Sequence, residues 1–168
     1  VPSTASNLSS ASLYVDYIYL DTDERRRFAQ VSHEYLIEQV QDTSLSTATG
    51  SKELNFNHPV KELIWVSLDT STSEPSAANL TTTWQLKLNG HDRFAARDFR
   101  YFTRTQVWQH HTGYGGTSEP DSVAVYSFAL KPEEHQPSGT CNFSRIDNAQ
   151  LVNTGGPSNH EVYAVNYN

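Results

Sequence analysis

A chain of 168 residues is long enough for one domain with a real hydrophobic core. Its net charge of −7 makes it a poor general partner for nucleic-acid phosphates, because such contacts are mainly electrostatic. Its one cysteine, Cys141, excludes an internal disulfide, and no apolar run reaches the length of a membrane-spanning helix. The opening VPSTASNLSSA has neither the charged start nor the apolar block of a signal peptide. Met is absent, even at position 1, so a fragment or processed piece of a longer product is expected.

Residues 1–11 are small and polar and read as a linker or domain junction. From Ser12 to Leu20 both alternating faces are mostly apolar, which predicts a strand covered on both sides, with Asp16 as the polar exception. Asp21 followed by Glu24 has capping-box spacing and starts a predicted helix over 22–30 that buries Phe28. The Arg25-Arg26-Arg27 run sits beside Asp21, Asp23 and Glu24, so it reads as an ion-paired segment rather than a nucleic-acid site. Its arginines lie on successive helix faces, so at least one is expected to meet a neighbouring element or subunit.

His33 to Gln41 separates apolar from polar by neither period, and a strand is expected there. DTSLSTATGS follows as a polar loop. Residues 52–67 read as extended with a kink at His58-Pro59, and 69–82 as an exposed Ser/Thr-rich loop. Trp84 to Leu88 is a strand ended by the turn signal Asn89-Gly90. HDRFAARDFRYF is expected to make one helical turn and return to strand, with 105–109 extended and HHTGYGGTSEPD a glycine-rich loop. Val123 to Leu130 alternates as a strand, and Pro132 and Pro137 break it before Gly139. Thr140 restarts an extended segment through Phe143, Ile146 and Leu151, NTGGPSN turns, and 161–167 closes the chain.

Eight extended segments result: 12–20, 33–41, 52–67, 83–89, 100–109, 121–130, 141–152 and 160–168. Many short strands joined by Gly, Pro and Asn turns indicate an all-β sandwich or barrel, and eight is the number of a two-sheet jelly roll. The residues alone leave the choice among sandwiches open.

No catalytic set converges: GxxxxGK[ST], GxSxG and HExxH are all missing. His110 and His111 are adjacent, and in an extended chain adjacent side chains point to opposite faces and cannot easily share an ion, so neither a metal nor a cofactor is expected. Glu133, Glu134 and His135 lie between two prolines, and a solvated or subunit-facing surface fits them better than acid–base chemistry. Cys141 reads as a buried, inert thiol. Of three sequons, at Asn7, Asn79 and Asn142, Asn79 in the exposed loop is the best glycosylation candidate. Phe99, Tyr101 and Phe102 with Arg93, Arg97 and Arg100 form a dense group of interface-type residues. The same group also reads as core aromatics covered by long arginines, with equal weight. Trp84, Trp108 and Tyr114 are candidate sugar-stacking platforms.

YSFALKPEEHQPSGTCNFSRIDNAQL closely resembles a signature of the major capsid proteins of the nucleocytoplasmic large DNA viruses. LYVDYIYLDTDERRRFAQVSHEYLIEQVQ, LNFNHPVKELIWV and LNGHDRF resemble further signatures of that family in the same order, together a little under half the chain. The resemblance also carries most of the strand assignment at 33–41. It implies a double jelly-roll subunit, of which 12–168 resembles the C-terminal jelly roll with a short helix after its first strand. It implies no enzyme but self-assembly into a homotrimeric, pseudo-hexagonal capsomer. The implied partners are neighbouring capsomers and minor capsid proteins, an internal membrane near the shell base, and no direct nucleic acid. The implied location is the virion, after assembly in host cytoplasm. On that reading Arg25, Arg26, Arg93, Arg97, Arg100, Phe99, Tyr101, Glu133, Glu134 and His135 are candidate subunit-interface residues, and the loops 69–82 and 110–120 face outward. The alternative is a carbohydrate-binding jelly-roll module that takes host glycans.

Overall fold

The structure is a computed structural model that describes residues 12–45, 50–68, 83–113, 121, 123–154 and 159–168. It divides into two units, Val1–Tyr35 and Leu36–Asn168.

In the first unit the expected strand at 12–20 is not in a sheet. Its residues carry no ladder pairing and are exposed, Leu13, Tyr14, Tyr17, Ile18 and Tyr19 among them. A strand is stable only when a neighbour takes up its N–H and C=O groups, and no described residue does so here. The helix is present as α1 (Thr22–Gln30). The Asp23 and Glu24 amides donate to the Asp21 carboxylate at 2.7 and 3.2 Å, satisfying two donors that the first turn leaves free. Phe28 is not buried as expected; it stacks on His33 with ring centroids 5.2 Å apart. Asp21→Ala is expected to destabilise α1 by about 0.5–2 kcal/mol. Faster amide exchange at Asp23 and Glu24 would register it.

The second unit is an all-β, two-sheet jelly roll. Its strands are β1 (Glu38–Leu45), β2 (Gly50–Glu53), β3 (Pro59–Leu68), β4 (Thr83–Leu88), β5 (His91–Asp92), β6 (Arg97–Asp98), β7 (Val123–Ser127), β8 (Cys141–Asn142), β9 (Ala149–Asn153) and β10 (Asn159–Tyr167). One sheet runs β1-β10-β3-β7, with β8 also on β3; the other runs β2-β9-β4-β5, with β6 also on β4. Every described pairing is antiparallel. The last strand thus lies in the middle of its sheet, between the first and the third.

The single extended segment expected at 52–67 is two strands in opposite sheets. His58, at φ +69°, turns the corner, and Pro59, which has no amide to donate, takes the first position of β3. Within β3 the register against β10 shifts between Val165 and Asn166, so Glu62 faces Val165, Val60 faces Asn166 and Lys61 is the extra residue. That bulge lets Val60 and Leu63 both enter the core, which strict alternation would forbid.

Three further expectations change. Residues 100–109 are helical, not extended: a π-helical turn, Tyr101–Thr105, runs into α2 (Gln106–His110). Phe99, Phe102 and Gln106 are buried at a spacing of three and four, which is helical periodicity. The segment 141–152 breaks after β8, because the Asn142 carboxamide accepts from the Ser144 amide at 3.0 Å and caps a 3₁₀ turn, Phe143–Arg145. β1 extends through Leu45, into the polar stretch taken for a loop.

The helical segment also closes a sheet edge. Buried Gln106 accepts from the Ser127 amide on β7 at 3.1 Å and donates to the Tyr101 hydroxyl at 2.9 Å. A side chain thereby occupies part of an edge that would otherwise invite another strand. Between the sheets an aromatic train fills the core: Phe56, Phe143, Phe128, Tyr126, Phe94, Phe102, Trp65 and Trp84, each within 6.2 Å of the next by ring centroid. Register also groups the loop roots. Leu68 pairs with Asn159 and Val66 with Val123, so the end of β3 and the starts of β7 and β10 lie at one end of their sheet.

Candidate assembly surfaces

The arginine–aromatic group divides by depth. Phe99 is 7% exposed and Phe102 is fully buried, whereas Arg93, Arg97 and Arg100 are exposed. The Arg97 guanidinium lies 4.4 Å from the Tyr101 ring centroid and that of Arg100 5.4 Å from Phe99. These rings belong to the core, and the arginines cover them with their charged heads in solvent. Arg104 adds a fourth cation, held by Asp121 through two parallel bonds of 2.9 and 2.7 Å. Those bonds keep the Asp121 carboxyl below its ordinary range. Burial pushes the Tyr126 phenol and the Cys141 thiol up, so Cys141 stays a protonated, poorly reactive thiol. Arg25 and Arg26 lie on the exposed α1, where Arg26 sits 3.8 Å from Asp23.

The Glu133-Glu134-His135 turn is anchored on two sides. His111, the residue that caps α2 after His110, places Nε2 2.9 Å from Glu62 on β3 and Nδ1 3.1 Å from Glu133. Glu133 also accepts from the Thr112 amide and hydroxyl, the latter at 2.7 Å. On the other side Lys61, buried in the bulge, donates to the Glu38 carboxylate at 2.7 Å and to the Glu134 carbonyl at 3.2 Å. Its ammonium lies 5.3 Å from the Tyr167 ring, and His135 is 3.4 Å from Glu38. Glu133, Glu134 and His135 remain exposed.

Lys61, Glu62 and Glu38 were not singled out from sequence, and His111 was considered only as a metal ligand. The available signal was the charged pair in VKELIWV, at the head of a strand otherwise destined for the core. The histidine pair, expected at the start of a loop, sits at the end of a helix: His110 ends α2 and its Nδ1 lies 3.1 Å from the Leu130 carbonyl. No group of three His, Cys, Asp or Glu suited to a metal ion occurs among the described residues.

Among the sugar-stacking candidates Trp84 is ruled out, being 1% exposed between the sheets, while Trp108 is 77% exposed. Tyr114 and the glycosylation candidate Asn79 lie outside the described residues, as do the loops 69–82 and 114–120.

Two antiparallel sheets with the last strand inserted between the first and third define a jelly roll. The family model described as large eukaryotic DNA virus major capsid protein matches residues 24–168, and the chain belongs to that family. It is 52% identical to the major capsid protein of Pyramimonas orientalis virus over 98% of this chain and 47% of that protein. It is 44% identical to the major capsid protein of Paramecium bursaria Chlorella virus 1 over 83% of this chain and 40% of that one. Its structure superposes on the PBCV-1 virus capsid, a quasi-atomic model, with a TM-score of 0.75 and 34% identity, covering 90% of this chain and 52% of the other. The chain thus spans about half the length of the relatives it matches. The family is structural, not enzymatic.

Proposed function

We propose that this chain is the C-terminal jelly roll of a major capsid subunit that works by assembly into a virion shell. The observation that carries the reading is a family match over 24–168 together with a two-sheet fold shared with a capsid structure. The subunit forms a homotrimeric, pseudo-hexagonal capsomer, and such capsomers tile an icosahedral shell built in host cytoplasm. Cyclic contacts of this kind are heterologous and close because the rotation closes. The exposed arginines Arg93, Arg97 and Arg100, the helix residues Arg25 and Arg26, and the Glu133–His135 turn supply flank contacts, with Phe99 and Tyr101 backing the arginines from within. Neighbouring capsomers and minor capsid proteins meet these flanks, an internal membrane lies near the shell base, and host glycans meet the outward loops.

The domain boundary belongs to the same proposal. Leu36–Asn168 is the jelly roll, and Ser12–Tyr35 joins it to a preceding domain. Leu13–Leu20, apolar on both faces yet exposed, finds its strand partners in that domain. Native mass spectrometry of the full-length protein is expected to give a trimer, and particles imaged at low resolution to show three-fold capsomers. A protein that stays monomeric under all assembly conditions would refute the reading.

A further inference from the structure

His111 is met at both ring nitrogens by carboxylate oxygens, which when ionised can only accept. A neutral imidazole has one N–H and one lone pair. It can therefore satisfy Glu62 or Glu133, but the other carboxylate then faces a lone pair. With both carboxylates ionised, contacts of 2.9 and 3.1 Å on opposite sides of one ring call for the doubly protonated imidazolium. The two carboxylates come from different elements, Glu62 from β3 with its side chain 8% exposed, and Glu133 from the turn.

We propose that residues 131–138 form a proton-operated strap, locked to the outer side of β3 while His111 carries both protons and loosened when it gives one up. The strap is a defined unit. Its base closes through the Lys131 amide donating to Ser138 Oγ at 3.0 Å, and Pro132 is buried beneath it. Its far side is held by the Lys61 ammonium on the Glu134 carbonyl. The device is therefore a hinge on one side and a latch on the other. Beside the latch lies a groove of about 270 Å³ lined by His110, His111, Thr112, Leu130, Lys131 and Glu133, which the loosened strap would widen.

The charged neighbours set the direction. Glu62 faces His111 from β3 and Glu133 from the strap, while Lys131 pairs with Glu134 at 2.9 Å, and His110 turns to the Leu130 carbonyl. Across the strap, His135 and Lys61 share Glu38. The hydrogen bonds and charges of Glu62 and Glu133 raise the His111 imidazole above its ordinary value against the opposing effect of burial. A group raised in the folded state contributes stability fully below its unfolded value, and that contribution is lost as pH rises through the folded one. Glu133 is held below its ordinary range by Thr112 and His111, so its contribution is lost only as pH falls through that lowered value. The latch is tight in the mildly acidic window between them and opens toward alkaline pH.

Hydrogen exchange on the intact chain, corrected for the intrinsic pH dependence, tests this independently of any capsid assembly. The Thr112 amide and the strap amides are expected to exchange about tenfold faster above the His111 titration than below it, the size of one charge-assisted bond lost. In His111→Gln that step should vanish. NMR titration of the wild-type imidazole should place it above an ordinary histidine, and Glu133→Gln should bring it down. A step that persists in His111→Gln, strap protection unchanged across the titration, or a His111 that titrates at or below the ordinary value would overturn the proposal.

Discussion

Trp65→Ala is expected to cost about 3–5 kcal/mol of folding stability, enough to abolish much of what a domain of this size has. Trp65 is 1% exposed and its ring lies 5.7 Å from Trp84 and 5.1 Å from Phe102. It joins β3 of one sheet to β4 of the other and to the helical segment at the open flank. Removing it leaves a void that three separate elements would have to move to fill, and closely packed interiors relax only in part. Trp108→Ala deletes the same side chain at an exposed site and is expected to stay within about 0.5 kcal/mol of wild type. Urea denaturation of the two variants side by side measures the contrast; similar losses in both would show that the core does not centre on Trp65.

Gly139→Ala is the second large effect, about 1–3 kcal/mol. Gly139 has φ +144°, and a Cβ there would come 2.9 Å from the Phe128 carbonyl oxygen and 3.4 Å from the Ala129 Cα. Both obstacles are backbone, and that backbone is pinned: the amides of Phe128 and Ala129 donate to the Lys61 carbonyl at 2.8 and 3.2 Å, and Ser127 Oγ donates to the Ala129 carbonyl at 2.7 Å. Neither side can yield without breaking bonds at the bulge. Gly90→Ala has a positive φ of 79° but no atom within 4 Å of the added carbon, so only backbone strain remains and the loss is smaller. Thermal melts that rank Gly90→Ala below Gly139→Ala in stability would contradict the steric argument.

Much of the jelly roll was legible locally. KELIWVSL alternates cleanly because one face of β3 packs against the opposite sheet, and the turns at Asn89-Gly90 and Pro132–Gly139 fall where strands must end. The helix cap at Asp21 was legible because capping bonds span only two or three residues. The helical stretch after Phe99 was misread because its charged residues break either period, although the three-and-four spacing of Phe99, Phe102 and Gln106 was there to be counted. The strap's latch was not legible at all: His111 and Glu62 lie 49 residues apart, and no local rule brings them together.

The sequence by itself determined an acidic, all-β domain of the capsid family, its turn chemistry and the alternation that gives each sheet an inner face, because these depend on neighbours a few residues away. Only the tertiary structure decided that the last strand lies between the first and third, that Lys61 is the extra residue of a bulge, and that Leu13–Leu20 lacks a ladder within the described residues. Each of those depends on which distant backbone comes alongside. Hydrogen-bonding groups on a strand edge accept any partner of suitable geometry, so the assignment is made by the packing of the whole.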